Sequence, residues 1–241
     1  ICHPYFEHFQ ISDSYATRVG KGQYAALERA KKFSKQHKWF CKLDIRKYFD
    51  SINHTVLLAM LESKFKDKQV LFLFKRIVDS YEVSEGKGIP IGNLTSQYFA
   101  NFYLGFADHY LKEKLQVNSY VRYMDDMVLW SNDKTKLKVQ TNMFIEFIQN
   151  ELNLDVKPIC MNRIDKGLPF LGYVLFHDGI RLKKNSKKRF VGKIMDYHHK
   201  VLEGDWSQKN FANHAEPLIA FTQHANAKSL RRTMLCELEA G

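Results

Sequence analysis

The sequence predicts an α+β fold in which a short hairpin and a neighbouring strand are surrounded by amphipathic helices. β-branched and aromatic residues flank Asp125 and Asp126, which is typical of a tight hairpin with both carboxylates at its tip. Residues 39–45 form an apolar run that favours a strand buried on at least one face. Apolar residues recur at helical spacing over 53–81 and 98–115, which predicts helices before the hairpin in the chain.

The composition favours a folded protein with a polyanionic partner. Of the 241 residues, 45% are hydrophobic, and the formal net charge is +11. No apolar run approaches the roughly 20 residues that a membrane span requires, so nucleic acid is expected as the partner and a membrane is not. The four cysteines form no C-x-x-C pair, which favours a reducing, cytoplasmic setting without a disulfide framework or zinc site. The chain starts at Ile1 without an initiator Met, and we expect an N-terminal truncation.

Three carboxylates are the candidates for metal binding. Aspartate is a common turn residue, so Asp125 and Asp126 taken alone are more often structural than functional. Asp44 changes this balance because it stands at the end of the predicted 39–45 strand, where its side chain can meet the hairpin. Two metal ions about 3.5–4 Å apart require oxygen ligands from different elements, and Mg²⁺ prefers oxygen ligands. The sequence therefore predicts a site for two Mg²⁺ ions.

Four motifs along the chain resemble those of reverse transcriptases. They are Leu-Asp-Ile-Arg-Lys-Tyr-Phe-Asp at 43–50, Gly-Ile-Pro-Ile-Gly-Asn-Leu-Thr-Ser-Gln at 88–97, Tyr-Met-Asp-Asp at 123–126 and Phe-Leu-Gly-Tyr at 170–173. The resemblance covers residues 11 to 176. Within the family, the variant at 91–97 most resembles the reverse transcriptases of diversity-generating retroelements.

The resemblance implies a right-hand polymerase with fingers, an antiparallel-sheet palm and a helical thumb. The expected fingers are 1–36 and 53–92, incomplete at the N-terminus; the expected palm is 37–52 and 93–176; and the expected thumb is 177–241. The motif at 170–173 then corresponds to the grip that holds the primer 3′ end. The Lys and Arg residues beyond 180 are expected to follow the template–primer backbone, although such a run is more often a solvated face.

For the metal site, the resemblance implies that Asp44, Asp125 and Asp126 are the ligands, together with the backbone carbonyl of Ile45. Lys157 is a candidate proton donor to the departing pyrophosphate, with an ordinary surface lysine as the alternative. The implied reaction is two-metal nucleotidyl transfer. It transfers the nucleoside monophosphate of a deoxynucleoside triphosphate to the 3′ end of a DNA or RNA primer on an RNA template and releases pyrophosphate.

Other residues are expected to contact the incoming nucleotide. Arg18 and Lys21 lie in a basic loop with Gly20 and Gly22 that can approach a phosphate, although a solvated surface loop fits this composition better when taken alone. The resemblance favours a triphosphate contact for Arg18. For Lys21, a phosphate contact and a solvated surface position are about equally expected. It makes Phe49 the aromatic side chain that leaves no room for a 2′-hydroxyl group, with an ordinary core phenylalanine as the alternative.

The motif that begins at Ile91 combines expected nucleotide contacts with a helix start. Gly92 allows close approach of the backbone, Thr95 or Ser96 can cap the helix, and Gln97 ends the motif. Many reverse transcriptases have a glutamine at the position of Ile91, where it touches the incoming nucleotide and the template base. An aliphatic side chain forms no hydrogen bonds. The resemblance therefore implies error-prone copying, particularly opposite template adenine.

Three alternatives are open at this level. A retron, group II intron-like or phage-defence reverse transcriptase shares the chemistry but copies a different template. An RNA-dependent RNA polymerase uses the same two-metal site, although Phe49 and the Tyr-Met-Asp-Asp context favour DNA synthesis. A nucleic-acid-binding module with an inactive polymerase fold is the rival from another class, and intact Asp44, Asp125 and Asp126 speak against it. The family resemblance also implies a small basic helical accessory protein and a prokaryotic or phage-encoded origin.

Overall fold

The computed structural model describes the backbone of residues 2–240 and, except at 238–240, their side chains. Ile1 and Gly241, which begin the predicted fingers and end the predicted thumb, lie outside the described residues. The chain divides into two compact units. One contains residues 1–33 and 37–163, and the other contains residues 34–36 and 164–241. The predicted boundary between palm and thumb at 176 stays a prediction.

The first unit contains most of the helices and one four-stranded sheet. Its helices are α1 (His3–Phe9), α2 (Gln23–Gln36), α3 (Tyr48–Ser51), α4 (His54–Lys64), α5 (Lys68–Asp79), α6 (Leu94–His109), followed by one π-helical turn (Tyr110–Lys114), and α7 (Lys134–Leu152). Its strands are β1 (Trp39–Leu43), β2 (Tyr120–Tyr123), β3 (Asp126–Ser131) and β4 (Cys160–Arg163). Together with the second unit, these elements confirm the predicted α+β class.

The sheet of the first unit is antiparallel, with strand order β2-β3-β1-β4. β1 pairs with β3 so that Leu43 lies opposite Met127, and the hairpin closes with Tyr123 opposite Asp126. The end of β1 and the turn of the hairpin therefore lie at the same edge of the sheet. Buried apolar residues of β1, β3, α6 and α7 share one core, which fixes this edge relative to the helices.

The side chain that caps α4 is that of Asn53 and not that of Asp50. Asp50 is a plausible cap for a helix beginning near Ser51, but it lies inside the short helix α3. The side chain of Asn53 accepts a hydrogen bond from the Val56 amide instead and caps α4. The chain has two short helices in this region because Ile52 is extended between them.

The start of α6 also differs from the prediction. The helix begins at Leu94, so Thr95 and Ser96 lie inside its first turn and neither is at the capping position. Asn93 occupies that position, and its side chain forms no capping hydrogen bond. Ser96 is buried, with 1% of its surface exposed. Its hydroxyl group therefore belongs to the packing of α6 rather than to an accessible site.

The second unit has a small sheet and a group of helices. Its elements are β5 (Leu168–Phe170), β6 (Tyr173–Leu175), β7 (Ile180–Leu182), α8 (Lys184–Leu202), α9 (Gln208–Gln223) and α10 (Lys228–Ala240). The three strands are antiparallel neighbours. Buried Phe190, Ile194, Ala215 and Met234 form the core between the helices. No helix among the described residues is both long and apolar enough to cross a membrane.

The Phe-Leu-Gly-Tyr motif at 170–173 joins two strands of the second unit. The apolar run at 170–176 suggests continuous extended structure, but Leu171 and Gly172 have φ values of 47° and 87°. These values reverse the chain direction, so β5 and β6 pair with each other across the turn. A side chain on Gly172 would meet the Phe221 ring at 3.0 Å, which together with the positive φ explains the glycine.

Candidate active site

The three predicted carboxylates converge at the edge where β1 and the hairpin meet. Asp44 follows the last residue of β1, Asp126 is the first residue of β3, and Asp125 lies in the turn before it. The hairpin loop thus consists of Met124 and Asp125, so the prediction that Asp126 is also at the tip is corrected. Leu43 pairs with Met127, so the next residue, Asp44, lies beside the start of β3 and the turn that contains Asp125. The antiparallel pairing of β1 with β3 is what brings Asp44 to the hairpin.

Two lysines neutralise part of this negative charge. The Lys42 ammonium group lies 2.9 Å from Oδ2 of Asp126, and the Lys157 ammonium group lies 2.9 Å from Oδ1 of Asp44. The first pair is mostly buried, whereas both members of the second are more than one-third exposed. The charges of the second pair, Asp44 and Lys157, also act on Asp125.

Burial and mutual repulsion raise the pKa values of the hairpin carboxyl groups. Burial is the main cause for Asp125, and the Asp44 charge adds to it, while a backbone hydrogen bond and the Lys157 ammonium group oppose the change. Burial likewise raises the pKa of Asp126 to about 6, although the Lys42 ammonium group lowers it. These carboxylates are therefore held in an arrangement that favours a positive partner.

The donor atoms at this edge fit divalent magnesium. Among the described residues, no group of three or more His, Cys, Asp or Glu side chains is already arranged around a common point as metal ligands. However, Oδ1 of Asp126 is buried without a hydrogen-bond partner, which is costly for a carboxylate oxygen. An orphaned oxygen beside two further carboxylates is a set of hard ligands, the type that Mg²⁺ prefers. Asp44, Asp125 and Asp126 therefore fit a Mg²⁺ ion.

The backbone carbonyl of Ile45 points toward the hairpin that carries Asp125 and Asp126. The amide of Lys157 donates to the Asp44 carbonyl, and the amide of Arg46 donates to the Asp155 carbonyl. Because successive residues of an extended chain point their backbone groups to opposite sides, the Ile45 carbonyl faces the hairpin. Val156 makes an isolated bridge to Ile45, and β4 begins at Cys160.

The two basic residues of the 11–22 loop do not meet the carboxylates in this structure. The Arg18 guanidinium group is 8% exposed and donates to Glu7 and to the carbonyl groups of Ile11 and Ser14. The Lys21 ammonium group donates to a backbone carbonyl 2.8 Å away and lies over the Tyr15 ring. The phosphate contact of Arg18 stays a prediction, and it requires these internal hydrogen bonds to break.

The remaining predicted residues are divided between packing and exposure. Phe49 is half-buried against the core beside the Tyr48 ring. Ile91 is 75% exposed, and Gly92 has a φ of 99° with open space where a side chain would begin. Gln97 accepts a hydrogen bond from Thr17 at 3.0 Å, which ties the start of α6 to the 11–22 loop. Ile91 and Gly92 are thus accessible to a ligand, whereas Gln97 has a partner within the protein.

Lys42 is the residue at the site that sequence reasoning missed. Side chains two apart in a strand share a face, so Lys42 and Asp44 point to the same side of β1. The diagonal neighbour of Lys42 on β3 is Asp126, because Lys42 lies opposite Val128. Alternation along 39–45, which places Lys42 on the same face as Asp44, was the signal that could have found it.

Comparisons with known proteins agree with this geometry. Residues 5–175 match the family described as reverse transcriptase (RNA-dependent DNA polymerase). The chain is 25% identical over 193 residues to the group II intron-encoded protein LtrA of Lactococcus lactis subsp. cremoris, covering 73% of this chain and 32% of that protein. It is 28% identical over 110 residues to the COX1/OXI3 intron 2 protein of Saccharomyces cerevisiae, covering 43% and 13%. The chain therefore spans less than one-third of the length of either relative.

Solved structures of low identity share the fold. Telomerase from Candida albicans, in complex with a TWJ fragment of telomeric RNA, superposes with a TM-score of 0.59 at 12% identity, covering 100% of this chain and 48% of that chain. Apo telomerase from Candida tropicalis, truncated from its C-terminal domain, gives 0.59 at 13% identity, covering 75% and 44%. The predicted right-hand polymerase fold is confirmed.

The family prediction is confirmed at its broader level. The curated relatives named above are intron-encoded proteins, so they support the reverse transcriptase family and not specifically its diversity-generating branch. The matched region runs from α1 to the end of β6 and includes all three carboxylates. A match over most of the chain, around a site of this geometry, means that the chain belongs to the reverse transcriptase family.

Proposed function

We propose that the chain is the catalytic part of an RNA-directed DNA polymerase. The observation that carries the proposal is the convergence of Asp44, Asp125 and Asp126 from β1 and the β2–β3 hairpin at one edge of the sheet. Family membership supports the same activity. The substrates are then deoxynucleoside triphosphates, an RNA template and a primer.

The residues of the site are proposed to have two roles, metal binding and proton donation. Asp44, Asp125 and the Ile45 carbonyl are proposed to hold two Mg²⁺ ions, with Asp126 contributing its unpartnered Oδ1. When bound, the ions supply Lewis acidity at the primer 3′-hydroxyl group and charge neutralisation at the leaving pyrophosphate. The Lys157 ammonium group, now 2.9 Å from Asp44, is proposed to give a proton to the leaving group.

The charge of the second unit supports a nucleic-acid substrate. α8 presents exposed basic side chains along its first half, namely Lys184, Lys187, Lys188, Arg189 and Lys193. Such a row of cations suits a phosphate backbone and carries no sequence preference. We propose that it contacts the template–primer duplex.

Primer extension with matched templates and nucleotides tests the proposal. A labelled primer on an RNA template should be extended with deoxynucleotides and Mg²⁺, and EDTA should stop the reaction. Extension with ribonucleotides instead would favour an RNA polymerase. Tight binding of template–primer without extension would favour the inactive binding module.

Phe49 is proposed to exclude ribonucleotides. Phe49→Val removes most of the aromatic ring, and we expect the preference for deoxynucleotides over ribonucleotides to fall by about tenfold or more. The ratio of kcat/KM for matched deoxy and ribo substrates measures it. Tyr5→Leu, a change at an exposed aromatic ring on α1, is the control. An unchanged ratio in Phe49→Val would return this side chain to an ordinary packing role.

We further propose that copying is error-prone at template adenines, as in a diversity-generating retroelement. Ile91→Gln should lower misincorporation opposite adenine by about three- to tenfold, because one added hydrogen bond contributes about 0.5–1.5 kcal/mol. Ile91 is 75% exposed, so the substitution should leave the fold unchanged. Misincorporation at each template base is measured separately. Faithful copying by the unmodified protein would favour an intron-type enzyme, in keeping with its intron-encoded relatives.

A further inference from the structure

We propose that Arg122 is a positioning residue that fixes the catalytic hairpin loop from beneath. The inference rests on the proposed function, since it concerns how Asp125 and Asp126 are held. Arg122 lies on β2, two residues before Met124, and its side chain is fully buried. A buried arginine in a strand is unusual, and its contacts explain what it does there.

Every N–H group of the Arg122 guanidinium has an acceptor. Nε and Nη2 donate to the carboxylate of Asp108 on α6 at 2.9 and 2.6 Å. Nη2 also donates to Gln10 at 3.0 Å, and Nη1 donates to Asn101 at 3.0 Å and to the Met124 carbonyl at 3.2 Å. One side chain therefore links α6 and the C-terminal end of α1 to the catalytic hairpin.

The bond to Met124 bears directly on the metal site. Met124 is the first residue of the two-residue loop and has a φ of 54°, a conformation that normally falls to glycine. Such a backbone costs about 1–3 kcal/mol and persists only where the surroundings enforce it. The Arg122 guanidinium holds the Met124 carbonyl from inside the protein. The conformation at Met124 in turn sets the direction of Asp125 toward Asp44.

The backbone of Arg122 also anchors the 11–22 loop. The Arg122 amide donates to the Asp13 carbonyl at 2.9 Å, and the Tyr15 amide donates to the Arg122 carbonyl at 3.0 Å. Asn101, which shares the guanidinium, donates through Nδ2 to the Ala16 carbonyl at 2.8 Å. The 11–22 loop and the catalytic loop are thus both fastened at Arg122.

General stability does not account for this arrangement. A buried ion pair is often no more stabilising than apolar residues of the same volume, because removing both charges from water is costly. The hairpin, in contrast, needs a fixed donor at Met124. A misplacement of about 1 Å at a reacting group can cost about 10²-fold in rate. Positioning is the benefit that this geometry supplies.

The test compares Arg122→Lys with Tyr120→Phe. Lysine keeps a positive charge beside Asp108 but cannot reach both Asp108 and Met124. Tyr120→Phe removes the hydroxyl group that donates to Asp108, so it perturbs the same buried cluster without touching the hairpin loop. Asn101→Ala is a milder second variant, since it removes an acceptor of the same Nη1 atom and leaves the pair with Asp108 in place.

We expect Arg122→Lys to lower kcat by about 10- to 100-fold while the Kd for template–primer stays within twofold. The Mn²⁺ affinity of the protein without substrates, measured by calorimetry, should fall about tenfold. Asn101→Ala should change both quantities in the same direction by about threefold. Tyr120→Phe should stay within twofold of the unmodified protein.

The outcomes separate this inference from the proposed function. If Arg122→Lys has the same metal affinity and kcat as Tyr120→Phe, the positioning role of Arg122 is wrong. If Arg122→Lys does not fold, the same comparison is made with Asn101→Ala. If an unmodified protein neither binds Mn²⁺ nor extends a primer, the polymerase assignment itself is wrong and the inference falls with it.

Discussion

Replacing Asp125 by asparagine is expected to abolish nucleotide addition and to leave the fold as stable as before or more stable. Asparagine has the same shape but lacks the charge that holds a metal ion. Loss of one fixed electrostatic group at a reacting centre costs about 10²–10³-fold in rate, and we expect at least that here. Single-turnover incorporation of one deoxynucleotide measures it.

The stability half of this prediction follows from the raised pKa of Asp125. Burial and the neighbouring Asp44 raise this pKa, so the ionised form is less favourable in the folded protein than in the unfolded chain. At pH 7 the charge therefore destabilises the fold, and this cost disappears as the pH falls and the group is protonated. A neutral side chain removes the same cost, so the melting temperature of Asp125→Asn should equal or exceed that of the parent.

The control for Asp125→Asn is a carboxylate outside the site. Asp196→Asn removes an exposed charge that pairs with Lys200 on α8, and it should leave both rate and melting temperature nearly unchanged. A rate of Asp125→Asn within tenfold of the parent would contradict the assignment of Asp125. A clear fall in melting temperature would contradict the account of its charge.

Replacing Asp108 by alanine is expected to have the largest effect on stability. The ion pair with Arg122 is fully buried on both sides, with Nη2 and Oδ2 2.6 Å apart. Burial alone lowers the pKa of Arg122, but the Asp108 carboxylate outweighs this effect and keeps the guanidinium group charged. Without Asp108, a buried charge has no counter-ion, and the Tyr120 hydroxyl group loses its acceptor. The free energy of unfolding should fall by about 3–5 kcal/mol.

Urea unfolding followed by circular dichroism measures this change. Asp79→Ala is the matched control, because Asp79 pairs with Lys75 at 2.8 Å in an exposed position on α5. An exposed pair contributes about 0–1 kcal/mol, so the control should change little. If Asp108→Ala lost no more stability than Asp79→Ala, the account of Asp108 as the counter-ion of a buried charge would be wrong.

The carboxylate site could be predicted from the sequence because it depends on local patterns. Alternation of side chains gave the hairpin strands, and Asp44 directly follows an apolar run that pairs in the core. The same alternation indicates that Lys42 faces the site, although its partner Asp126 depends on the register between two strands 84 residues apart. Register is a property of the packed sheet, so the contact needed the structure.

Other features depend on contacts that no local pattern carries. Arginine is usually exposed, so the sequence suggests a surface position for Arg122. The carboxylate of Asp108 on α6 explains its burial. The sequence suggests that Arg18 is free to bind a phosphate, whereas in the structure its guanidinium group forms a salt bridge with Glu7 on α1. The turn at Gly172 interrupts an apolar run that predicts one strand. The first two cases are decided by an acidic partner on a helix, and the third by the positive φ values of Leu171 and Gly172.

Incorporation of a single templated deoxynucleotide tests the central claim most directly. The protein is incubated with an RNA template, a labelled primer, Mg²⁺ and one deoxynucleotide at a time, with Asp125→Asn in parallel at equal template–primer binding. We expect extension by one nucleotide that depends on the templating base and on Mg²⁺ and is absent from the variant. Extension that persists in Asp125→Asn, or binding without any extension by the parent, would contradict the assignment of the three carboxylates as the catalytic site.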